Sequence, residues 1–306
     1  MTLLPFLLIF ASLFLHVAWN LLSKKSIPSL SYYALMAFWA GVFTLPFLLL
    51  CNIDFGAVPV SFWLCLAGSV VGELLYMISL AFGYRVADVS LFYPLLRAFS
   101  VALLAFAALI FPLGKELSTA AFIGMQILTV SCIVMNWTPR AREKNGSLKN
   151  TLLVWLLVII GTLGISFYTA MDNAALALAK KSVEETAAAG VTWGTTEALG
   201  YLFLIEAGLV IIQAPFIVAM PLERQAMRQL WKSWSPIVAG FSTAACYGLV
   251  LIAMPMVTNV AIVYSFRQMG LPLGFLAGVL LLHEKVTWQK IVGIIGIVIG
   301  LILSAG

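Results

Sequence analysis

The sequence predicts an all-α polytopic membrane protein, ten transmembrane helices arranged as two inverted five-helix repeats. Three observations lead there. The chain of 306 residues is 63% hydrophobic and 9% charged, with mean hydropathy +1.08, whereas a soluble domain is about 25% charged. Its apolar runs are each near the ~20 residues that a helix needs to cross a bilayer. Two of those runs carry an internal arginine at related places, Arg97 after Tyr93-Pro94 and Arg267 after Tyr264, 170 positions apart. Similar halves with matching intramembrane arginines are the pattern of a transporter built from a repeat.

Taken in order, the apolar runs place spans at about 3–22, 31–50, 60–83, 88–111, 118–137, 151–177, 198–219, 235–254, 259–282 and 287–304. The first run lacks a basic leader segment and a clean cleavage signal, so it reads as a retained span. The polar linker 138–150 divides a first repeat, 1–137, from a second, 151–306. An odd number of spans per half inverts one half relative to the other.

Further points test the repeat. His16-Val17-Ala18-Trp19-Asn20 stands opposite Tyr168-Thr169-Ala170-Met171-Asp172 at an offset of 152, and Pro46-Phe47 opposite Pro215-Phe216 at 169. The rise between those offsets locates an insertion in the second half at 180–197. That insertion mixes Ala187 to Ala189 with Gly190, Gly194 and a lone Trp193, which suits a short helix lying over a cavity mouth; the plainer reading is a surface loop.

The net charge of +5 does not point to nucleic acid, because the basic residues sit in short connections. Odd-numbered connections hold Lys24, Lys25, Arg85, Arg140, Arg142, Lys144, Lys149, Arg224, Arg228, Lys232, Lys285 and Lys290. Even-numbered ones hold only Lys115, Lys180 and Lys181. The positive-inside rule then places odd connections in the cytoplasm and both termini outside. Cys51, Cys65, Cys132 and Cys246 lack metal-ligand spacing and read as packing residues, with Cys51 and Cys65 near enough in sequence to pair across one loop.

The candidate chemistry is intramembrane. Arg97 and Arg267 either pair with a buried carboxylate or a helix-end carbonyl, or form a positive wall that grips a substrate carboxylate or phosphate. Glu73, Asp172 and Glu206 either neutralise the arginines or include a proton carrier, since acids outnumber arginines here. His16 reads as a neutral, hydrogen-bonded interior histidine. Tyr93, Tyr264, Trp19, Asn20, Tyr168 and Asp172 complete the candidate substrate site. Gly270, Gly274 and Gly278 stripe span 9, and Gly296 and Gly300 in span 10 mark either helix packing or a dimer face. Pro94, Pro255 and Pro272 interrupt or flank helices where rocking would hinge. There is no phosphate-binding loop, metal cluster or nucleophile elbow, and no cofactor is expected.

Several motifs together resemble the drug/metabolite transporter superfamily, specifically its EamA-type ten-helix members. They are HVAWNLLSK (16–24), YPLLRAFS (93–100), YTAMDNA (168–174), YGLVLIAM (247–254) and the span-9 run ending in Leu282-His283-Glu284. The resemblance covers essentially the whole chain. It implies a five-plus-five inverted repeat, a central cavity open to alternate sides, and secondary transport of small metabolites, often export. Members usually end spans 4 and 9 with Leu-Gly-Glu; here Lys115 intervenes in the first and His283 replaces glycine in the second. Members also commonly keep both termini cytoplasmic, opposite to the charge count.

The expectation is a proton- or exchange-coupled carrier, not an enzyme, in a bacterial cytoplasmic membrane. It acts as a monomer or homodimer on a small polar or amphipathic molecule, amino-acid-like, organic-anionic or drug-like. Lipid-linked sugar flipping, which the same superfamily also performs, and an intramembrane lipid-modifying enzyme are the rivals. The enzyme reading is the weaker, because it expects metal-binding loops and the chain has two histidines and short connections.

Overall fold

A computed structural model describes residues 2–87, 89–111, 113–136, 148–186, 192–273 and 286–305. Among them the chain is helical with no β-strand: α1 (Leu3–Lys25), α2 (Leu30–Leu50), α3 (Val60–Val86), α4 (Val89–Ile110), α5 (Thr119–Asn136), α6 (Leu148–Thr186), α7 (Thr195–Ala219), α8 (Pro221–Leu230), α9 (Ser235–Ala253), α10 (Val260–Phe266) and α11 (Trp288–Ala305). Seven of these, α1 to α4, α6, α7 and α9, are long and apolar enough to cross a membrane; α5 and α11 are shorter and equally apolar. The protein is an integral membrane protein by that criterion. The helix ends fall within a few residues of the apolar runs, save that α6 continues through Lys180 to Thr186, that α10 ends at Phe266 within the run 259–282, and that a further short helix, α8, lies in the connection between α7 and α9. Linker residues 137–147, insertion residues 187–191, and Gly274, Gly278 and Leu282 to Lys285 lie outside the described residues.

The helices are sorted inside out relative to a water-soluble protein. Leu49, Leu64, Ile110, Ile211 and Ile302 are exposed, while Glu73, Arg97, Asp172, Glu206, Gln213, Arg267 and Gln268 are buried. Lipid solvates the outer apolar faces, and polar groups shelter inside.

Without a hydrophobic drive between helices in lipid, association depends on close backbone approach. The main contacts are α3 with α6, α5 with α11, α2 with α7 and α1 with α9; α4 packs on α5 and α6, and α10 on α1, α4 and α11. Glycines make two of them possible. A Cβ on Gly164 of α6 would lie 2.6 Å from the Gly72 carbonyl of α3, and one on Gly72 would lie 2.8 Å from the Tyr168 amide. Gly124 of α5 and Gly300 of α11 meet the same way, at 2.7 and 2.6 Å from each other's carbonyls. Gly296 packs against Ser131 of α5. Gly296 and Gly300 thus serve packing within the chain, which removes them as a dimer face.

The connections gather at two ends. At one, Glu223 of α8 accepts from the Ser31 amide (2.9 Å) and hydroxyl (3.0 Å) at the start of α2 and from Arg85 Nη2 at the end of α3 (2.7 Å). Arg85 Nε donates to the Pro28 carbonyl (2.7 Å). Connections 1, 3 and 7 therefore share an end. At the other, Glu197 at the start of α7 accepts from Asn52 Nδ2 (2.8 Å) and the Gly194 amide (3.0 Å). The Lys115 amide donates to the Thr258 carbonyl (2.7 Å), and the Val260 amide to the Leu113 carbonyl (3.2 Å). Gly114 beside them has φ +125°, a conformation glycine alone adopts easily. Connections 2 and 6 are joined, as are 4 and 8.

Cys51 and Cys65 are both free, so the loop between them carries no disulfide.

Candidate functional site

The middle of the bundle holds a polar cluster built from α1, α3, α4, α6, α7, α9 and the end of α10. Arg97 projects from α4 one turn after Tyr93. α10 stops at Phe266, and Arg267–Met269 form a 3₁₀ turn before the helix resumes. That break frees backbone acceptors inside the bundle. Arg97 Nη2 donates to the Arg267 carbonyl (2.9 Å) and Arg97 Nε to Gln268 Oε1 (3.3 Å). The Tyr264 ring lies 5.2 Å from the Arg97 guanidinium and 5.7 Å from that of Arg267, within cation–π range of both.

Among the described residues neither arginine has a carboxylate within 4.0 Å. The reading in which each pairs directly with a buried acid is therefore not met, although Arg97 does hold a helix-end carbonyl. Arg267 instead meets the Tyr247 ring at 5.7 Å. The Tyr264 hydroxyl is buried with no hydrogen-bond partner.

Around Arg97 the α1 residues form a shell. Trp19 Nε1 donates to His16 Nδ1 (3.1 Å), and His16 Nε2 bonds Tyr93 Oη. An indole N–H only donates, so Nδ1 is an acceptor. With its remaining proton on Nε2, a neutral His16 donates to Tyr93. Arg97 Nη1 lies 3.4 Å from the same Nε2, and Cys246 Sγ is 3.7 Å from Nδ1. Asn20 Nδ2 turns back to the His16 carbonyl (2.8 Å), while its Oδ1 is buried without a partner.

The acids occupy the other flank. Asp172 accepts from Tyr201 Oη (2.7 Å) through Oδ1 and from Tyr247 Oη through Oδ2. Tyr168 stacks edge-on against Tyr247, with ring centroids 5.9 Å apart, and meets Tyr76 at 6.3 Å. Glu73 of α3 is buried, its Oε2 has no partner, and it lies within electrostatic reach of Asp172, Arg267 and Glu206. Glu206 of α7 sits against Gly41 of α2.

The structure thus brings Arg97, Arg267, Tyr93, Tyr264, Trp19, Tyr168 and Asp172 into one continuous cluster, with Asn20 at its edge and Glu73 and Glu206 on its acidic side. Sequence reasoning did not single out Gln268, Tyr201 or Tyr247 for the site, and read His16 and Cys246 only as interior residues. Tyr247 opens one of the motifs quoted above and Gln268 follows Arg267, so both had a positional signal; Tyr201 had none. Glu223, which fastens three connections, was also missed, because an acid in a polar connection looks like a solvated one.

No family model and no curated protein matches the chain. It is similar to a solved protein crystal structure with TM-score 0.62 and 14% sequence identity, over 98% of this chain and 96% of that one. At that identity the likeness speaks to the fold alone.

Proposed function

We propose that the chain is a secondary active transporter that carries a small polar or amphipathic metabolite bearing a carboxylate or phosphate. In this reading ten spans form two inverted five-helix repeats, which rock about the central cluster so that it faces either side in turn. The observation that carries the reading is the arginine pair. Two guanidiniums from related positions share one tyrosine ring with no carboxylate in contact among the described residues. A buried positive charge left this way favours an anion, and a guanidinium binds carboxylate or phosphate through two parallel hydrogen bonds.

The helix packing supports the repeat. Exchanging α1 to α5 with α6, α7, α9, α10 and α11 turns the α3–α6 contact into α9–α1 and α4–α6 into α10–α1. It turns α4–α5 into α10–α11, while α2–α7 and α5–α11 map onto themselves; all of these contacts occur. The break in α10 at Arg267 also suits a carrier, whose sites are commonly formed where a helix is interrupted. The motif resemblance to EamA-type transporters points the same way and favours export, with coupling to protons or to exchange, in a bacterial cytoplasmic membrane.

The test is a thermal-shift screen of purified protein against anionic, zwitterionic and cationic metabolites, with hits taken to flux in proteoliposomes. Stabilisation by anion-bearing compounds, followed by their transport, is the expected result. Hits confined to cations, or binding without flux, would sink the reading. Stabilisation confined to lipid-linked sugar phosphates would move the assignment to a flippase.

A further inference from the structure

We propose that the outward face of α8 and the turn after it bind the phosphate groups of anionic lipids at the membrane surface. The inference stands apart from the transport reading. It needs only that α7 and α9 cross the membrane, because α8 is the link between them and must lie near the bilayer edge.

The sequence of the segment, Met220 to Trp234, carries one acid and three bases. The acid is not at the surface. Glu223 is 1% exposed and is consumed by Arg85 and Ser31. The bases, Arg224, Arg228 and Lys232, are all exposed, and among the described residues none has a carboxylate within 4.0 Å. The surface of this segment therefore holds three cations and no anion.

Helix geometry lines them up. At about 100° per residue, a spacing of four places Arg224 and Arg228 along one side of α8, and Lys232 follows in the turn after it. Ala226 and Leu230, which are buried, point to the opposite side, and α8 packs on α2 and α7. The cationic line thus faces away from the bundle.

Apolar groups flank it. Trp231 is 62% exposed and Trp234 78%. Two tryptophans left open beside a row of cations would be unfavourable toward water alone. Together they match the headgroup zone, where tryptophan is enriched and basic side chains reach phosphates. An acidic soluble protein or a nucleic acid would satisfy the cations and leave the tryptophans without a role.

The test uses the full chain purified in a neutral detergent, with thermal unfolding followed as lipid is added. Phosphatidylglycerol should raise the midpoint by about 3 °C or more over the same amount of phosphatidylcholine, since a ligand of the folded state stabilises it. The preference should shrink with added salt. In R224Q/R228Q/K232Q the midpoint in detergent alone should stay near wild type, and the phosphatidylglycerol preference should disappear. Native mass spectrometry should count fewer bound phosphatidylglycerol molecules on that variant. A triple variant that keeps the preference, equal shifts from the two lipids, or the same shift from inorganic phosphate would each overturn the proposal.

Discussion

Arg97 and Arg267 sit 3% and 5% exposed, surrounded by aromatic rings, carbonyls and an amide. If they hold the anionic part of a substrate, replacing either with alanine should cut flux about tenfold or more, each tenfold being ~1.4 kcal/mol of lost interaction. Lysine should restore little, because a point charge cannot reproduce the planar fork. Proteoliposome flux alongside a folding assay checks this, and two alanine variants that transport normally would end the arginine hypothesis. The three acids differ in their surroundings. Both Asp172 oxygens are taken by tyrosine hydroxyls, whereas Glu73 keeps one oxygen unpartnered between Asp172, Glu206 and Arg267. A group already held by two donors gains least from gaining and losing a proton. Glu73→Gln is therefore expected to remove the dependence of flux on a pH gradient while leaving substrate binding. Retained pH dependence in that variant would return the role to Glu206 or Asp172.

Among the helices, the α3–α6 seam shows how composition becomes packing. Gly72 and Gly164 face one another with backbone in contact, so Gly164→Ala must push the helices apart. Overpacking of this kind costs about 1–3 kcal/mol, and a lowered thermal midpoint in detergent is the expected readout. Gly270→Ala, whose nearest neighbour would lie 3.8 Å away, is the matched control and should be near neutral. α6 has 39 residues, about 58 Å at 1.5 Å per residue, nearly twice the hydrocarbon thickness. Its last turns are held by Lys180–Glu184 and Lys181–Glu185 at i,i+4 spacing. The first part of the insertion thus extends a helix beyond the bilayer, where a loop was the plainer expectation, and Trp193 after it packs on the core. Removing the extension to match the shorter first repeat should change the rate or apparent affinity of transport without unfolding the protein. Unchanged kinetics in a stable, shortened variant would reduce the segment to a linker.

For the molecule as a whole, the joined connections fix which ends lie together: 1, 3 and 7 at one, 2 with 6 and 4 with 8 in their own clasps. Odd connections carry nearly all of the basic residues outside the spans, so the positive-inside rule places the Arg85–Glu223 clasp in the cytoplasm and both termini outside. A C-terminal reporter fusion active only on the outer side is the expected result. Activity confined to the cytoplasm would mean that the topology common in EamA-type transporters prevails over the charge count.

Composition and run length alone determined that the chain is helical and membrane-embedded, because a polar backbone in lipid has few other solutions and apolar runs of span length are hard to mistake. The same runs placed most helix bounds to within a few residues, though not the end of α6 or the break after α10, and the recurrence of Tyr and Arg in two of them picked out the centre of the cluster. Local sequence carries no record of which helix faces which. Only the tertiary structure decided that Asp172 is held by Tyr201 and Tyr247 and not by an arginine, that Gly300 meets Gly124 within the chain, and that Glu223 turns inward to clasp α2 and α3. Each of those partners lies tens to hundreds of positions away. Each contact depends on the rotation of a helix about its axis, which in a uniformly apolar span is set by packing against neighbours and not by the pattern of the span itself.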